Sequence, residues 1–335
     1  MQISHQILSY FCRMEKIHQL KETFAAFMDS VKFDYRPEEL YAPIIYTVYQ
    51  KGKRLRPMLC LLACDLFGGK VEDALYPAFA LEIFHNSTLL HDDIMDQAPI
   101  RRGMPTVYKK WNTNVAILSG DAMVALSFDF VMRTPRSQEA AHLLAQVHRE
   151  VCEGQQYDLN FETCNEVSVD EYLEMIRLKT AVLLATSLKM GALVAGADEL
   201  DQQKLYDFGI AIGVAFQLQD DLLDCYCDEA VFGKKMGGDI VENKKTFMLL
   251  KAMELASLDD RAELSSLFST SMVEPDEKIR RVKAVYDRIG VKESVEKVIA
   301  DYFRRGDSIL DTIHVPDERK VGIRDFALQL LGRDK

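Results

Sequence analysis

Six aspartates in two clusters carry the chemistry of this chain. Asp92-Asp93-Ile94-Met95-Asp96 and Asp220-Asp221-Leu222-Leu223-Asp224 share one form, D-D-x-x-D, and lie 128 positions apart. Apolar helical runs lead into both, His85–Leu90 in one case and Ile210–Leu218 in the other. On a helix, positions i and i+4 share a face, so Asp92 and Asp96 point one way, as do Asp220 and Asp224. Like charges at that spacing repel, and partly buried carboxylates are costly unless something positive compensates them. One such cluster is common on a solvated helix face. Two in apolar surroundings point to hard divalent cations, and oxygen-only ligands favour Mg²⁺ over zinc or copper.

Three basic elements accompany the acids. Gly52-Lys53-Arg54-Leu55-Arg56-Pro57 puts Lys53 and Arg56 on one helical face at i, i+3. That pair suits a diphosphate, with arginine giving bidentate contacts and lysine a point charge. Arg101-Arg102-Gly103 starts five residues after Asp96, in a Gly/Pro loop able to close over phosphates. Gly233-Lys234-Lys235-Met236-Gly237-Gly238-Asp239 follows the second cluster, and Glu242-Asn243-Lys244-Lys245-Thr246 comes next. Each alone is an ordinary solvated surface group; in this order and at these offsets they form one constellation.

The elements that must position these groups are helices. Helical periodicity runs throughout, over about 4–29, 37–50, 54–67, 71–96, 114–132, 136–163, 169–195, 199–228, 240–256, 259–268, 276–290, 292–311 and 319–332. No period-2 segment and no asparagine-glycine hairpin signal stands out, and Gln97–Thr106, with Pro99, Gly103 and Pro105, reads as a loop. No Ser/Gly- or Pro-rich linker divides the chain, so an all-α class is expected, as one large helical domain over 1–335. At 335 residues with 48% apolar content a large core is available, and a net charge of −11 argues against nucleic-acid binding. Seven cysteines in no framework spacing fit reduced thiols in a cytoplasm. Cys225-x-Cys227 has no companion pair to make a zinc site. Met1–Lys21 lacks a continuous apolar core and a cleavage site, and no transmembrane helix is expected. The sequon Asn86-Ser87-Thr88 falls mid-helix and is taken as accidental.

With these residues together, the chain resembles the trans-polyprenyl diphosphate synthase family of the isoprenoid synthase superfamily. The resemblance spans nearly the whole chain and rests on Gly52–Pro57, on Leu89–Asp96 with Arg101-Arg102-Gly103, on Lys179-Thr180, on Phe216–Asp224, and on Gly233-Lys234 with Asp239. It implies an all-α fold around a deep cavity, usually as a homodimer. It implies head-to-tail condensation of an allylic diphosphate (dimethylallyl, geranyl or farnesyl) with isopentenyl diphosphate, and Mg²⁺, three per active site, as cofactor. Carried over position by position, Asp92, Asp96 and Asp220 are the main Mg²⁺ ligands. Asp93 and Asp224 support them through water or from behind the ligands, and Asp221 belongs to the same metal cluster. Gly52, Lys53, Arg56, His85 and Arg102 serve isopentenyl diphosphate; Arg101, Lys179 and Lys234 grip the allylic diphosphate. Thr180 and Gln217 lie along the carbocation, and Lys244 supports the diphosphate end. The chemistry is consistent: ionising an allylic C–O bond needs neutralisation of the leaving charge and an apolar site that keeps water from the cation. The released diphosphate is the expected base.

Product length should be set below the first cluster. Thr88 and Ser87 lie four and five positions before Asp92, about one turn or roughly 5.4 Å down the helix. Farnesyl-producing relatives commonly place an aromatic there; here both residues are small. Phe84, a turn lower, is either the tunnel floor or ordinary core facing another helix. A C20 product is expected, within C15–C25. The alternatives are a longer-chain synthase of the quinone side-chain type, a class I terpene cyclase and a non-catalytic synthase subunit. A cyclase needs no Lys53/Arg56 group and uses a different second metal motif, and subunits of the last kind commonly lose one of the motifs retained here.

Overall fold

The computed structural model describes residues 2–164, 166–226, 236–269 and 273–332, with residues 2–14 described by backbone alone. The chain divides into two compact units, Met1–Gln146 with Thr186–Tyr206 and Ile313–Ile323, and Val147–Ala185 with Asp207–Thr312 and Arg324–Lys335.

The first unit is built on α1 (Gln2–Ser30), α2 (Glu38–Val48), α3 (Leu55–Leu66), α4 (Val71–Met95), α5 (Val107–Lys110) and α6 (Thr113–Val131). Helix α4 is buried nearly all round, with Ala78, Phe79, Leu81, Ile83 and Phe84 sealed from solvent. A helix covered on nearly every side belongs at the centre of a core, and α4 packs chiefly on α6 and α3. Phe79 anchors it: its ring centroid lies 4.9 Å from Phe130, 5.9 Å from Phe27 and 6.3 Å from Phe33. Such aromatic pairs contribute about 0.5–1.5 kcal/mol each beyond their buried area. By length and composition α6 could cross a membrane, the one such helix among the described residues, yet 44% of its apolar window is buried within the fold.

The chain continues through α7 (Ser137–Thr163), α8 (Val169–Ile176), a π-turn (Arg177–Ala181), α9 (Val182–Val194) and α10 (Glu199–Tyr226). After these come α11 (Gly238–Val241), α12 (Phe247–Leu255), α13 (Leu258–Ser269), α14 (Pro275–Arg288), α15 (Val291–Asp311) and α16 (Asp317–Leu331). In the second unit Tyr172, Leu218, Leu222, Phe247, Val282, Tyr286 and Val295 share one core. The stripes are legible: α15 buries Val291, Val295 and Ile299 at intervals of four. Helix α8 begins with a reciprocal capping box, Ser168 Oγ accepting from Glu171 N at 3.2 Å and Glu171 Oε2 from Ser168 N at 2.8 Å.

The all-α class is as expected, with four departures in detail. The 97–106 loop contains a two-residue antiparallel ladder, β1 (Ile100–Arg101) and β2 (Met104–Pro105). Its turn residues Arg102 and Gly103 both have positive φ, 53° and 77°. That is the primed hairpin turn, with arginine where asparagine usually signals it. The expected helix 240–256 is broken into α11 and α12, with Asn243 left-handed at φ 59° in the break. The expected helix 169–195 contains the π-turn. Helix α3 starts at Leu55, after Arg54 at φ 50°, so Lys53 precedes the helix and does not share its face with Arg56.

Candidate active site

In the first unit, the C-terminal half of α4 carries a polar stripe through apolar surroundings. Glu82 is 2% exposed and receives Arg54 Nη1 on Oε1 at 2.5 Å. The same guanidinium donates from Nη2 to the carbonyls of Val48 at 2.6 Å and Gln50 at 2.7 Å, closing the end of α2. Asn86, one turn on from Glu82, donates to Glu82 Oε1 at 3.1 Å and accepts from Arg102 Nη1 at 3.4 Å. Arg56 adds a third guanidinium, whose Nε is buried without a hydrogen-bond partner. Burial brings the Arg56 pKa down to about 10, with Arg102 adding repulsion and Glu82 opposing both. Burial and the charges of Arg56, Arg102, Arg101 and Arg54 hold His85 well below the usual imidazole range, so it is neutral. Three guanidiniums, Arg54, Arg56 and Arg102, answered by one buried carboxylate, Glu82, leave an excess of positive charge, the electrostatics of an anion site.

The first Asp cluster closes that unit's site. Asp93 is 4% exposed, and Arg101 Nε donates to its Oδ1 at 2.6 Å. Burial raises the Asp93 pKa, against the pull of Arg101. Asp92 is half-buried, and Asp96, the C-cap of α4, is exposed. A water-sized pocket of about 10 Å³ has Asn86, Asp93, Arg101, Arg102, Thr47 and Gln50 in its lining. Gly52 borders Arg102: a side chain there would meet the guanidinium carbon at 3.3 Å. Lys53 is exposed. Below Asp92, Ser87 Oγ donates to Phe84 O at 2.7 Å and Thr88 Oγ1 to His85 O at 2.8 Å. Both hydroxyl protons are thus turned back onto the helix, and Phe84 is buried.

In the second unit, the π-turn presents Lys179 and Thr180, both half-buried. Lys179 Nζ donates to Asp158 Oδ2, and Thr180 Oγ1 to Gln217 Oε1 at 3.0 Å. Helix α7 reaches this turn only because residue 154 is glycine: a Cβ there would sit 2.3 Å from the Lys179 backbone nitrogen. On α10, Asp220 and Asp224 are half-buried while Asp221 is 3% exposed. Asp221 Oδ2 accepts from Tyr172 Oη at 2.5 Å and Phe247 N at 3.3 Å, and Oδ1 from Gln217 Nε2 at 3.1 Å. Burial pushes the Asp221 carboxyl up to about 7; the three donors oppose this and Asp239 adds to it. Asp224 Oδ2 accepts from Asp239 N at 3.1 Å. Burial, then Asp224, raises Asp239 to about 6, and Lys244 lies 3.8 Å from it. Lys244 also pairs with Glu242 at 3.0 Å.

Each unit therefore gathers most of the residues expected of it. Lys234 lies outside the described residues. Sequence reasoning did not single out Glu82, Asn86, Arg54, Asp158 or Tyr172 as site residues. Glu82 carries a signal, an acid within the apolar run Ala78–Phe84, and Gly154 carries another, a glycine deep inside a helix. Elsewhere in the first unit, Asp198, Asp201 and His314 bring three ligand atoms within 4.8 Å. Asp198 caps α10 by accepting from Asp201 N at 2.8 Å, and Asp201 is engaged by Lys204 Nζ at 3.0 Å and His314 N at 3.1 Å, which makes this a joint of the fold.

Comparison with known proteins places the chain in a family. The sequence profile of the family described as Polyprenyl synthetase matches residues 37–289. A short chain isoprenyl diphosphate synthase of Methanothermobacter thermautotrophicus is 38% identical over 302 residues, 88% of this chain and 92% of that protein. A geranylgeranyl diphosphate synthase of Methanosarcina mazei is 43% identical over 223 residues, 65% of this chain and 69% of that one. Among solved structures, a geranylgeranyl pyrophosphate synthase superposes with a TM-score of 0.91 at 41% identity, covering 95% of this chain and 99% of that one. With a family profile over most of its length and a relative of this identity along nearly all of it, the chain belongs to the polyprenyl synthetase family.

Proposed function

We propose that this chain is a Mg²⁺-dependent trans-prenyltransferase that joins an allylic diphosphate head to tail with isopentenyl diphosphate, giving a C20 product. The observation that carries this is the basic site of the first unit. Arg56, Arg102 and neutral His85 gather beside Gly52, within the same unit as a D-D-x-x-D cluster that has its own arginine. A cyclase, which handles one diphosphate, has no use for such a site. Relatives that carry the name geranylgeranyl diphosphate synthase support C20.

The donor set suits Mg²⁺: carboxylates alone, with Asp92, Asp220 and Asp224 partly open and Asp96 exposed. Asp92, Asp96 and Asp220 are the proposed ligands, with Asp93 and Asp224 acting through water, and three ions per site. When bound, Mg²⁺ would supply positive charge to the departing diphosphate. Arg101, Lys179 and Lys234 add charge-assisted hydrogen bonds to the same group. Lys53, Arg56, His85 and Arg102 hold isopentenyl diphosphate, and Lys244 stands at the diphosphate end. Thr180 and Gln217 lie along the cation, which must be kept from water. The released diphosphate takes the proton. A homodimer is inferred from the exposed apolar residues of α6, Ile117 at 41% and Leu118 at 59%. The cytoplasm is the proposed compartment, on the strength of a cysteine set without framework spacing.

Purified protein given Mg²⁺, labelled isopentenyl diphosphate and allylic starters of graded length tests this directly. The expected main product is C20. A main product of C15 would contradict the open level at Ser87 and Thr88. Thr88→Phe should shorten the product and Phe84→Ala should lengthen it; two unchanged product distributions would remove α4 as the ruler.

A further inference from the structure

We propose that Asp221 is not a Mg²⁺ ligand but a positioning residue, and that with Tyr172 it holds α10 in the alignment at which Asp220 and Asp224 take up the ions. This role presupposes that Asp220 and Asp224 bind Mg²⁺, the reading given above. It removes one carboxylate from the expected ligand set and adds a residue that belongs to neither D-D-x-x-D cluster.

The oxygens of Asp221 are committed. Oδ2 accepts from both Tyr172 Oη and the Phe247 backbone N–H, and Oδ1 accepts from Gln217 Nε2. At 3% exposure it has no open side. Mg²⁺ requires ligand oxygens near 2.0–2.1 Å in octahedral array and gives up its waters reluctantly, so an oxygen already carrying two donors is a poor ligand. Asp221 also sits about 100° round the helix from Asp220, off the face that Asp220 shares with Asp224.

The same contacts show what the carboxylate does. Phe247 is the first residue of α12, and the cap residue before it, Thr246, makes no side-chain cap bond. Asp221 supplies the missing acceptor from another helix, and the positive end of α12 favours its negative charge. Tyr172 lies on α8, its ring 6.3 Å from that of Phe247. Gln217 lies one turn before Asp221 and accepts from Thr180 of the π-turn. One buried group therefore ties α8, α10, α12 and, through Gln217, the turn bearing Lys179 and Thr180.

Turnover measured against Mg²⁺ concentration tests this in the wild type, Tyr172→Phe, Asp221→Asn, their double variant and Asp220→Ala, with Tm recorded for each. Tyr172→Phe keeps the ring and removes one donor; Asp221→Asn keeps the shape. Each should raise the half-saturating Mg²⁺ concentration about tenfold, the usual scale for groups that orient metal ligands, with little change in Tm. The double variant should be no worse than the worse single one, since both act on the same Tyr172–Asp221 contact. The inference is overturned if Tyr172→Phe leaves Mg²⁺ dependence unmoved, if the two effects add, or if Asp221→Asn is as inactive as Asp220→Ala. Full turnover by Asp220→Ala would instead defeat the Mg²⁺ reading, and this inference with it.

Discussion

Asp93 and Asp221 occupy the same position in two copies of one motif, and both are buried, yet they are held by opposite means. Asp93 is met by a cation, Arg101 at 2.6 Å. Asp221 is met by a phenol, an amide and a backbone N–H, with a further carboxylate, Asp239, raising its pKa. Spacing along a helix dictates that Asp92 and Asp96, or Asp220 and Asp224, share a face. It says nothing about the middle residue, whose environment comes from elements distant in sequence. In the first unit the hairpin after α4 returns an arginine; in the second, α8 and α12 return neutral donors. The buried middle residue of the first cluster thus carries its own counter-charge, while that of the second is held by neutral donors.

The largest effect expected from this difference concerns the outer residues. Asp92→Ala and Asp220→Ala should each reduce turnover by about a thousandfold, the scale of losing a main source of transition-state charge stabilisation, roughly 4 kcal/mol. Excess Mg²⁺ should recover less activity in Asp220→Ala, whose buried neighbour Asp221 is held by neutral donors where Asp93 is held by an arginine. Steady-state rates over a Mg²⁺ series measure this, and equal recovery in the two variants would erase the distinction.

A smaller effect separates the middle residues by stability. Asp93→Asn leaves Arg101 without its carboxylate. Breaking a buried pair costs about 3–5 kcal/mol, and with the Arg101 side chain 32% exposed a discounted cost of about 2 kcal/mol is expected. Asp221→Asn removes a charge that burial disfavours while keeping groups that can accept and donate, so stability should stay within about 1 kcal/mol of wild type or rise. Denaturant unfolding of the two variants gives the comparison; an Asp221→Asn loss as large as that of Asp93→Asn would mean the carboxylate is better stabilised than its neighbours indicate.

Much of this site was legible in the sequence because it depends on local spacing. The D-D-x-x-D faces, the basic groups and the long apolar helices follow from periodicity alone. What was not legible depends on contacts between distant segments. Arg101-Arg102-Gly103 reads as a loop because two-residue strands are too short to show alternation, and Arg102 takes a turn position usually given to asparagine. The π-turn at Arg177–Ala181 contains no glycine or proline to announce it; its trace lies in another helix, at Gly154. Tyr172 reads as one more apolar position of α8 until its hydroxyl is seen against Asp221. The helical face assigned to Lys53 and Arg56 failed because Arg54 adopts a left-handed conformation immediately before α3.

The smallest effect is a difference in the sign of pH dependence. Burial and surrounding arginines hold His85 below its ordinary value near 6.5, so the unfolded chain binds its proton more readily than the folded one. The stability this group contributes is present above pH 6.5 and is lost as the pH falls below it. Asp221, raised to about 7, and Asp239, raised to about 6, behave in the opposite sense. From their ordinary value of 3.8 up to those pH values the folded state binds more protons, so their contribution is lost as the pH rises through that range. Amide exchange, corrected for its intrinsic pH dependence, should therefore show protection around His85 in α4 weakening between pH 7 and 5, while protection around Asp221 in α10 strengthens. Added Mg²⁺ at pH 7.5 should restore α10 more than at pH 5.5, because protons compete with the ion for carboxylates. Parallel loss of protection in both helices on acidification would mean that the two clusters are compensated alike, and the contrast between arginine and neutral donors would lose its energetic meaning.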